Sequence, residues 1–239
     1  MARHLAALRR RWLAAGLARV GKREDPTAEA WLRFQDEHGI SLSVLYPTAG
    51  LALGMVQLPD WATALAQGYN DWLADAFTSQ SPRLKRVALL APQDPAAAAA
   101  ELRRAVTELG FVGGVLPAAT SQKVPLYGSP VYEALWDEAQ RLDVPLAIHG
   151  GVSNNLGLDR LDSFAEAHCL EHPFGQMLQL TNMLFQGVFD QFPRLRVAFL
   201  EAGVGWVPFM IDRLDEDYEK FGIRLAPKLK RRPSEHLRS

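Results

Sequence analysis

Five short, mostly apolar runs punctuate this chain at residues 42–47, 86–91, 111–116, 144–149 and 195–200, and segments of helical period separate them. A strand with one wet face alternates apolar and polar residues. A strand apolar throughout is buried on both faces, as in a parallel sheet covered by helices. Strand and helix repeated in right-handed units leave two α/β architectures, an open doubly wound sheet or a barrel. The nucleotide-binding form of the open sheet needs a Gly-x-Gly-x-x-Gly or phosphate-loop pattern after a strand, and none follows these runs. With 239 residues, 48% of them hydrophobic, the chain is sized for one domain of either kind.

The helical segments carry their own signals. Residues 26–37 begin at Thr27, a good N-cap, and stop at His38-Gly39. Residues 60–79 place Leu65, Tyr69, Trp72, Leu73 and Phe77 on one face. Asp94-Pro95 opens an alanine-rich helix that ends at Gly110. Further helices are expected at 130–142, 164–190 and 207–221, with Trp61, Trp72 and Trp136 packed in the core.

Composition removes several functions. The net charge of −1 leaves no electrostatic footprint for nucleic acid. Cys169 is the single cysteine, so there is no intrachain disulfide and no thiolate metal cluster, which suits a cytoplasmic location. No run approaches the roughly 18 apolar residues of a membrane span. Residues 1–25 stand apart as a basic leader helix: Arg3, Arg9, Arg10, Arg11, Arg19, Lys22 and Arg23 precede the first acid. A solvated helix is the expectation there, against a targeting or membrane-surface segment. Residues 26–239 form the second unit.

Chemistry concentrates where strands end. The fourth run passes directly into His149-Gly150-Gly151, and the fifth into Glu201-Ala202-Gly203. Side chains at the carboxyl ends of parallel strands face the ligand crevice. A neutral imidazole there ligates metal or moves a proton, and glycine lets a ligand approach the backbone. The plain alternative is a capped histidine and a surface glutamate. His168 and His172 are four apart and would share a helix face as paired metal ligands do, but Pro173 argues against one continuous helix. His172 is therefore expected at a helix entrance, lining the site and touching substrate or serving in ordinary packing. Asn154 and Asn155 lie on the loop beyond His149, as carboxylate binders or turn formers. Trp206 is a candidate for the pocket mouth. Asp212, Asp215, Glu216 and Asp217, with Arg213, read as a solvated helix face.

Four passages together resemble the amidohydrolase-related family that includes the aminocarboxymuconate-semialdehyde decarboxylase-like enzymes. They are Asn70-Asp71-Trp72-Leu73 with Pro82-Arg83-Leu84, the stretch from Asp94-Pro95 to Gly113, Pro145 to Gly151, and Gly187 to Val197 leading to Glu201 and Trp206-Val207-Pro208. The resemblance covers roughly residues 40–220. It implies a metal-dependent (β/α)8 TIM barrel, with zinc or manganese as cofactor, that hydrolyses or decarboxylates small organic acids. On the matching positions His149 is the family's metal ligand. Glu201 takes a place where many members have a catalytic histidine, and a carboxylate there can act as base or further ligand.

Two parts of the family pattern have no counterpart. No His-x-His pair precedes residue 40, where His4 and His38 stand alone, and the ligand aspartate of the last strand is not found before Ser239. Five strands are present where a closed barrel needs eight. The expectation is an incomplete barrel of about five βα units, truncated at both ends, whose isolated chain holds metal weakly or not at all. Two functions compete: a metal-dependent hydrolase or carboxy-lyase, and a catalytically inactive barrel fragment or pseudoenzyme serving as an assembly module. The first strand, near 41–47, and the last, near 195–200, would have open edges. Homo-oligomerisation is therefore expected, or cover from the leader helix and the tail after Pro227.

Overall fold

In the computed structural model, residues 27–77, 81–151 and 156–237 are described. The leader expected at 1–25 lies outside them, as do Asn154 and Asn155. Helix α1 (Ala28–His38) starts where the Thr27 hydroxyl accepts the Ala30 N–H at 3.1 Å, and Gly39 ends it at φ 66. Strand β1 (Ser43–Leu45) leads through a 3-10 turn (Ala49–Met55) to helix α2 (Pro59–Phe77). The next run gives β2 (Leu84–Arg86) and β3 (Ala88–Leu89), then α3 (Pro95–Thr107), whose first turn is capped by Asp94 accepting the Ala97 N–H at 3.0 Å. There follow β4 (Gly114–Pro117), α4 (Glu133–Leu142), β5 (Leu146–His149), α5 (Phe164–Phe185), α6 (Val188–Gln191), β6 (Val197–Leu200) and α7 (Trp206–Asp217). Short helices α8 (Ile223–Leu225) and α9 (Pro233–His236) complete the tail.

All pairings are parallel: β1 with β2, then β3, β4, β5 and β6 in sequence order. Strands β2 and β3 are successive pieces of one run that turns at Val87. The Val87 N–H reaches Leu45 O at 3.4 Å, while the Ala88 N–H bonds Gly113 O at 2.8 Å. The run thus joins β1 on one side to β4 on the other. A doubly wound sheet reverses strand order at a switch point. Here the order never reverses, which is the barrel arrangement.

Burial on both strand faces explains the three central runs, whereas β1 and β6 are only partly covered, with Val44 and Ala198 exposed. Ala88, Leu90, Leu116, Leu146 and Ile148 pack under the helices with Leu102, Leu135 and Trp136. Val87, Leu89, Ala91, Val115 and Ala147 pack on the other side with Leu53. At Gly113 the strands approach so closely that a Cβ would lie 2.5 Å from the Pro145 carbonyl oxygen. The Asn70-Asp71 passage proves to be a structural lock. Buried Asn70 accepts the Leu89 N–H at 2.8 Å and donates to Leu89 O at 3.1 Å and Glu101 Oε1 at 2.7 Å. Arg104 closes the network by donating to both Glu101 oxygens and to Asp71 at 2.7 Å.

Two expectations are corrected. Helix α5 runs unbroken through Pro173, so His172 sits inside a helix and not at its entrance. An interior proline removes a ladder bond and costs about 3 kcal/mol. A capping box of Ser163 and Glu166 and buried side-chain bonds from Gln176 and Gln179 hold this helix regardless. Trp61 and Trp72 are 58% and 51% exposed, outside the core that does contain Trp136. The buried stripe of α2 is Ala62, Ala66, Asn70, Leu73 and Phe77, and Trp72 lies beside it against Tyr69 and Phe77. On α7, Arg213 pairs with Glu216 at 2.9 Å and Asp217 at 3.2 Å on the surface. The tail after Pro227 is tied down by the Lys230 N–H to Asp190 at 2.8 Å and the Ser234 N–H to Asp215 at 2.9 Å. Arg231, His236 and Leu237 thereby share a cleft with Leu195, Val197 and Phe199.

Candidate active site at the strand ends

His149 is the last residue of β5 and Glu201 the first after β6, and β5–β6 pairing sets His149 opposite Leu200. The two side chains meet, with His149 Nδ1 3.3 Å from Glu201 Oε2. Nδ1 also lies 2.8 Å from the Gly150 carbonyl oxygen. That contact sets the proton on Nδ1 and leaves Nε2 as the lone-pair nitrogen. A metal-binding histidine is oriented in just this way, by giving its other N–H to a carbonyl or carboxylate. Glu201 has φ 64, in the left-handed region that a non-glycine residue enters at a cost of about 1 kcal/mol. Strain of that kind gathers at functional sites. Here it accompanies the contact with His149, in a side chain still 57% exposed.

Helix α5 supplies the third group. A Cβ on Gly150 would lie 2.8 Å from the His172 ring, so glycine is required for the imidazole to pack on the strand end. Burial lowers the His172 pKa, and the charges of His168 and His149 add to that while Glu201 opposes it. His149, Glu201 and His172 are thus brought together. Trp206 is placed otherwise. Its indole N–H bonds Gly203 O at 3.0 Å, and its ring packs with the Leu180, Leu184, Met210 and Leu214 cluster. It steadies the loop that carries Glu201.

Sequence reasoning missed three residues. The Tyr46 ring, just beyond β1, lies 6.0 Å from the His149 ring, and burial raises its hydroxyl pKa. Gln176 and Gln179 are fully buried on α5. Gln176 Nε2 donates to Ile148 O and Leu200 O, both at 2.8 Å, clamping β5 to β6 next to the site. Gln179 accepts the Tyr127 N–H at 3.0 Å and donates to Ala118 O at 3.0 Å. Their signal was available: amides three apart on an otherwise apolar helical stripe.

The donor set suits a transition metal. An Nε2 lone pair with a backbone-held Nδ1 is a ligand type for a zinc- or manganese-class ion, while the Glu201 carboxylate lies on the Nδ1 side of the ring. The described strand ends offer one imidazole and one carboxylate. Gln176 Oε1 is buried and has no hydrogen-bond partner among the described residues.

Consecutive parallel strands with ionisable residues at their carboxyl ends are the arrangement of a β/α barrel. Residues 7–239 match the amidohydrolase family model, and the chain belongs to that family. It is 36% identical over 214 residues to gamma-resorcylate decarboxylase of Rhodococcus jostii, covering 84% of this chain and 63% of that enzyme. Among solved structures, 2,6-dihydroxybenzoate decarboxylase from Rhizobium superposes with a TM-score of 0.69 at 29% identity, over 84% of this chain and 64% of that one. Dihydroxybenzoic acid decarboxylase from Polaromonas sp. JS666, with bound manganese and the inhibitor 2-nitroresorcinol, gives 0.74 at 27% identity, over 94% and 70%. The chain therefore spans a little under two thirds of the gamma-resorcylate decarboxylase it matches, and its five strand runs are part of a (β/α)8 barrel.

Proposed function

We propose that this chain carries the site of a metal-dependent decarboxylase for small aromatic acids of the hydroxybenzoate type. The observation that carries it is the His149 ring, fixed through Nδ1 so that Nε2 is left for a metal. Manganese, present in the Polaromonas relative, is the first ion to test and zinc the second. A divalent metal at His149 would supply Lewis-acid polarisation of the substrate oxygens.

The chain's own residues do the rest. Glu201, exposed and 3.3 Å from His149, is the carboxylate placed to carry the proton that the ring carbon needs when carbon dioxide leaves. His172, whose pKa burial lowers, contacts the substrate as a hydrogen-bond partner. Asn154, three residues beyond Gly151 in sequence, is the residue assigned to the substrate carboxylate, and Trp206 keeps the Glu201 loop in place. Residues 26–239 act as one partial barrel domain, behind the leader, in a cytoplasmic homo-oligomer. No described helix is long and apolar enough to cross a membrane.

The test is release of carbon dioxide from 2,6-dihydroxybenzoate by the full chain with manganese in excess. Turnover is expected, falling by about 100-fold or more in Glu201→Gln and lost in His149→Ala. Gly150→Ala should impair turnover through the displaced His172 ring without unfolding the chain. Equal activity of His149→Ala and the unsubstituted chain would overturn the proposal. Failure of the full chain to turn over any hydroxybenzoate would favour the assembly-module alternative.

A further inference from the structure

We propose that helix α5 holds a second divalent-metal site, built from His168, Glu171 and His172 and distinct from the strand-end ligand His149. Each of these residues presents a ligand atom, and the three atoms lie within 4.8 Å of one another. The proposal does not depend on the decarboxylase reading.

The arrangement follows from the unbroken helix. Residues i and i+4 stand one turn apart on the same face, with i+3 beside them. His-x-x-Glu-His therefore converges two imidazoles and one carboxylate, and paired histidines at this spacing on a helix are a known zinc-holding arrangement. The His168 and His172 rings are 4.9 Å apart. Glu171 Oε1 lies 3.8 Å from His172 Nε2, and the Glu171 side chain is only 4% exposed.

Tetrahedral zinc with ligand bonds near 2.1 Å needs donor atoms about 3.4 Å apart, so side-chain rotations of roughly an ångström complete the site. His168 is exposed, while His172 is packed against Gly150. Two imidazoles and a carboxylate favour zinc, cobalt or nickel over magnesium or calcium. A fourth position, on the exposed His168 side, is left for water. Metal held here takes up the His172 imidazole, so occupancy excludes the substrate contact proposed for that ring.

The experiment titrates the metal-free full chain with zinc against a chromophoric chelator, and with cobalt by its visible absorption. A first, tightly bound equivalent of zinc is expected on the helix, ahead of any weaker uptake at His149, with cobalt in that first site giving a low-coordinate spectrum. His168→Ala, which alters an exposed side chain and leaves the fold intact by circular dichroism, should weaken zinc at least tenfold, and His172→Ala likewise. His149→Ala and Cys169→Ser should each change the affinity less than twofold. Unchanged affinity in His168→Ala overturns the proposal, as does abolition of binding by His149→Ala or an absence of zinc binding in the unsubstituted chain.

Discussion

Asn70→Ala tests the idea that the Asn70-Asp71 passage is a lock between helix and sheet. Asn70 has no exposed surface, and its amide satisfies both polar groups of the Leu89 peptide edge while donating to Glu101. Alanine removes these bonds and leaves the Leu89 N–H and C=O without them. Each buried backbone group left unpaired costs about 1–3 kcal/mol. Glu101 keeps its two bonds from Arg104, so its share of the loss is smaller. The expected loss is about 3–5 kcal/mol, a large part of a domain's usual 5–15 kcal/mol. For a chain of this size that is a Tm drop on the order of 10 °C. Urea unfolding followed by tryptophan fluorescence measures it. A double-mutant cycle with Glu101→Gln should show a coupling of about 1 kcal/mol, since the two side chains touch. A loss below about 1 kcal/mol in Asn70→Ala, or strict additivity in the cycle, would refute the lock.

Two further outcomes are expected. Burial lowers the pKa of His236, with Arg231 acting in the same direction and Asp190 and Glu235 opposing. Below the ordinary histidine value of about 6.5 the unfolded chain then takes up a proton that the folded chain refuses, so stability is complete above that pH and falls as pH drops toward the lowered value. The carboxylates whose pKa is lowered, among them Glu138 at about 2, lose their contribution only below their ordinary value of 4.5, so unfolding at pH 7.5 and 5.5 isolates the histidines. His236→Gln should flatten that difference, and an unaltered slope would count against it. Strands β1 and β6 each have one paired neighbour among the described strands, and Leu42, Val44 and Tyr46 at the first edge are exposed. Open apolar edges pair with other chains. Light scattering should therefore find dimers or larger species, and a monodisperse monomer at tens of micromolar would refute this.

How much of this was legible in the sequence depended on whether a residue's task could be read from its type. His149 and Glu201 were legible because an ionisable residue between an apolar strand and a glycine has few structural uses. The central runs were legible because burial on both faces leaves few polar positions to confuse them, although the break at Val87 depends on two different neighbours bonding the same run. Pro173 misled because a local backbone rule was applied without the tertiary bonds that outweigh it. Gln176 and Gln179 attach α5 to Ile148, Leu200, Ala118 and Tyr127, and those bonds hold the turn that proline weakens. Trp61 and Trp72 misled for the converse reason, because size and hydrophobicity were taken as burial. The buried stripe of α2 uses alanines, which let the helix sit close, and an asparagine, which the neighbouring strand requires. Asn70, Gln176 and Gln179 share one logic: each is an amide on an apolar helical stripe that reaches the backbone of a strand or its loop. Parallel strands that end beside a ligand site leave carbonyls beyond the last ladder bond, and such groups need partners when buried. An amide within a helix's apolar stripe therefore marks the side facing the strand ends, and on α5 that same side carries His172.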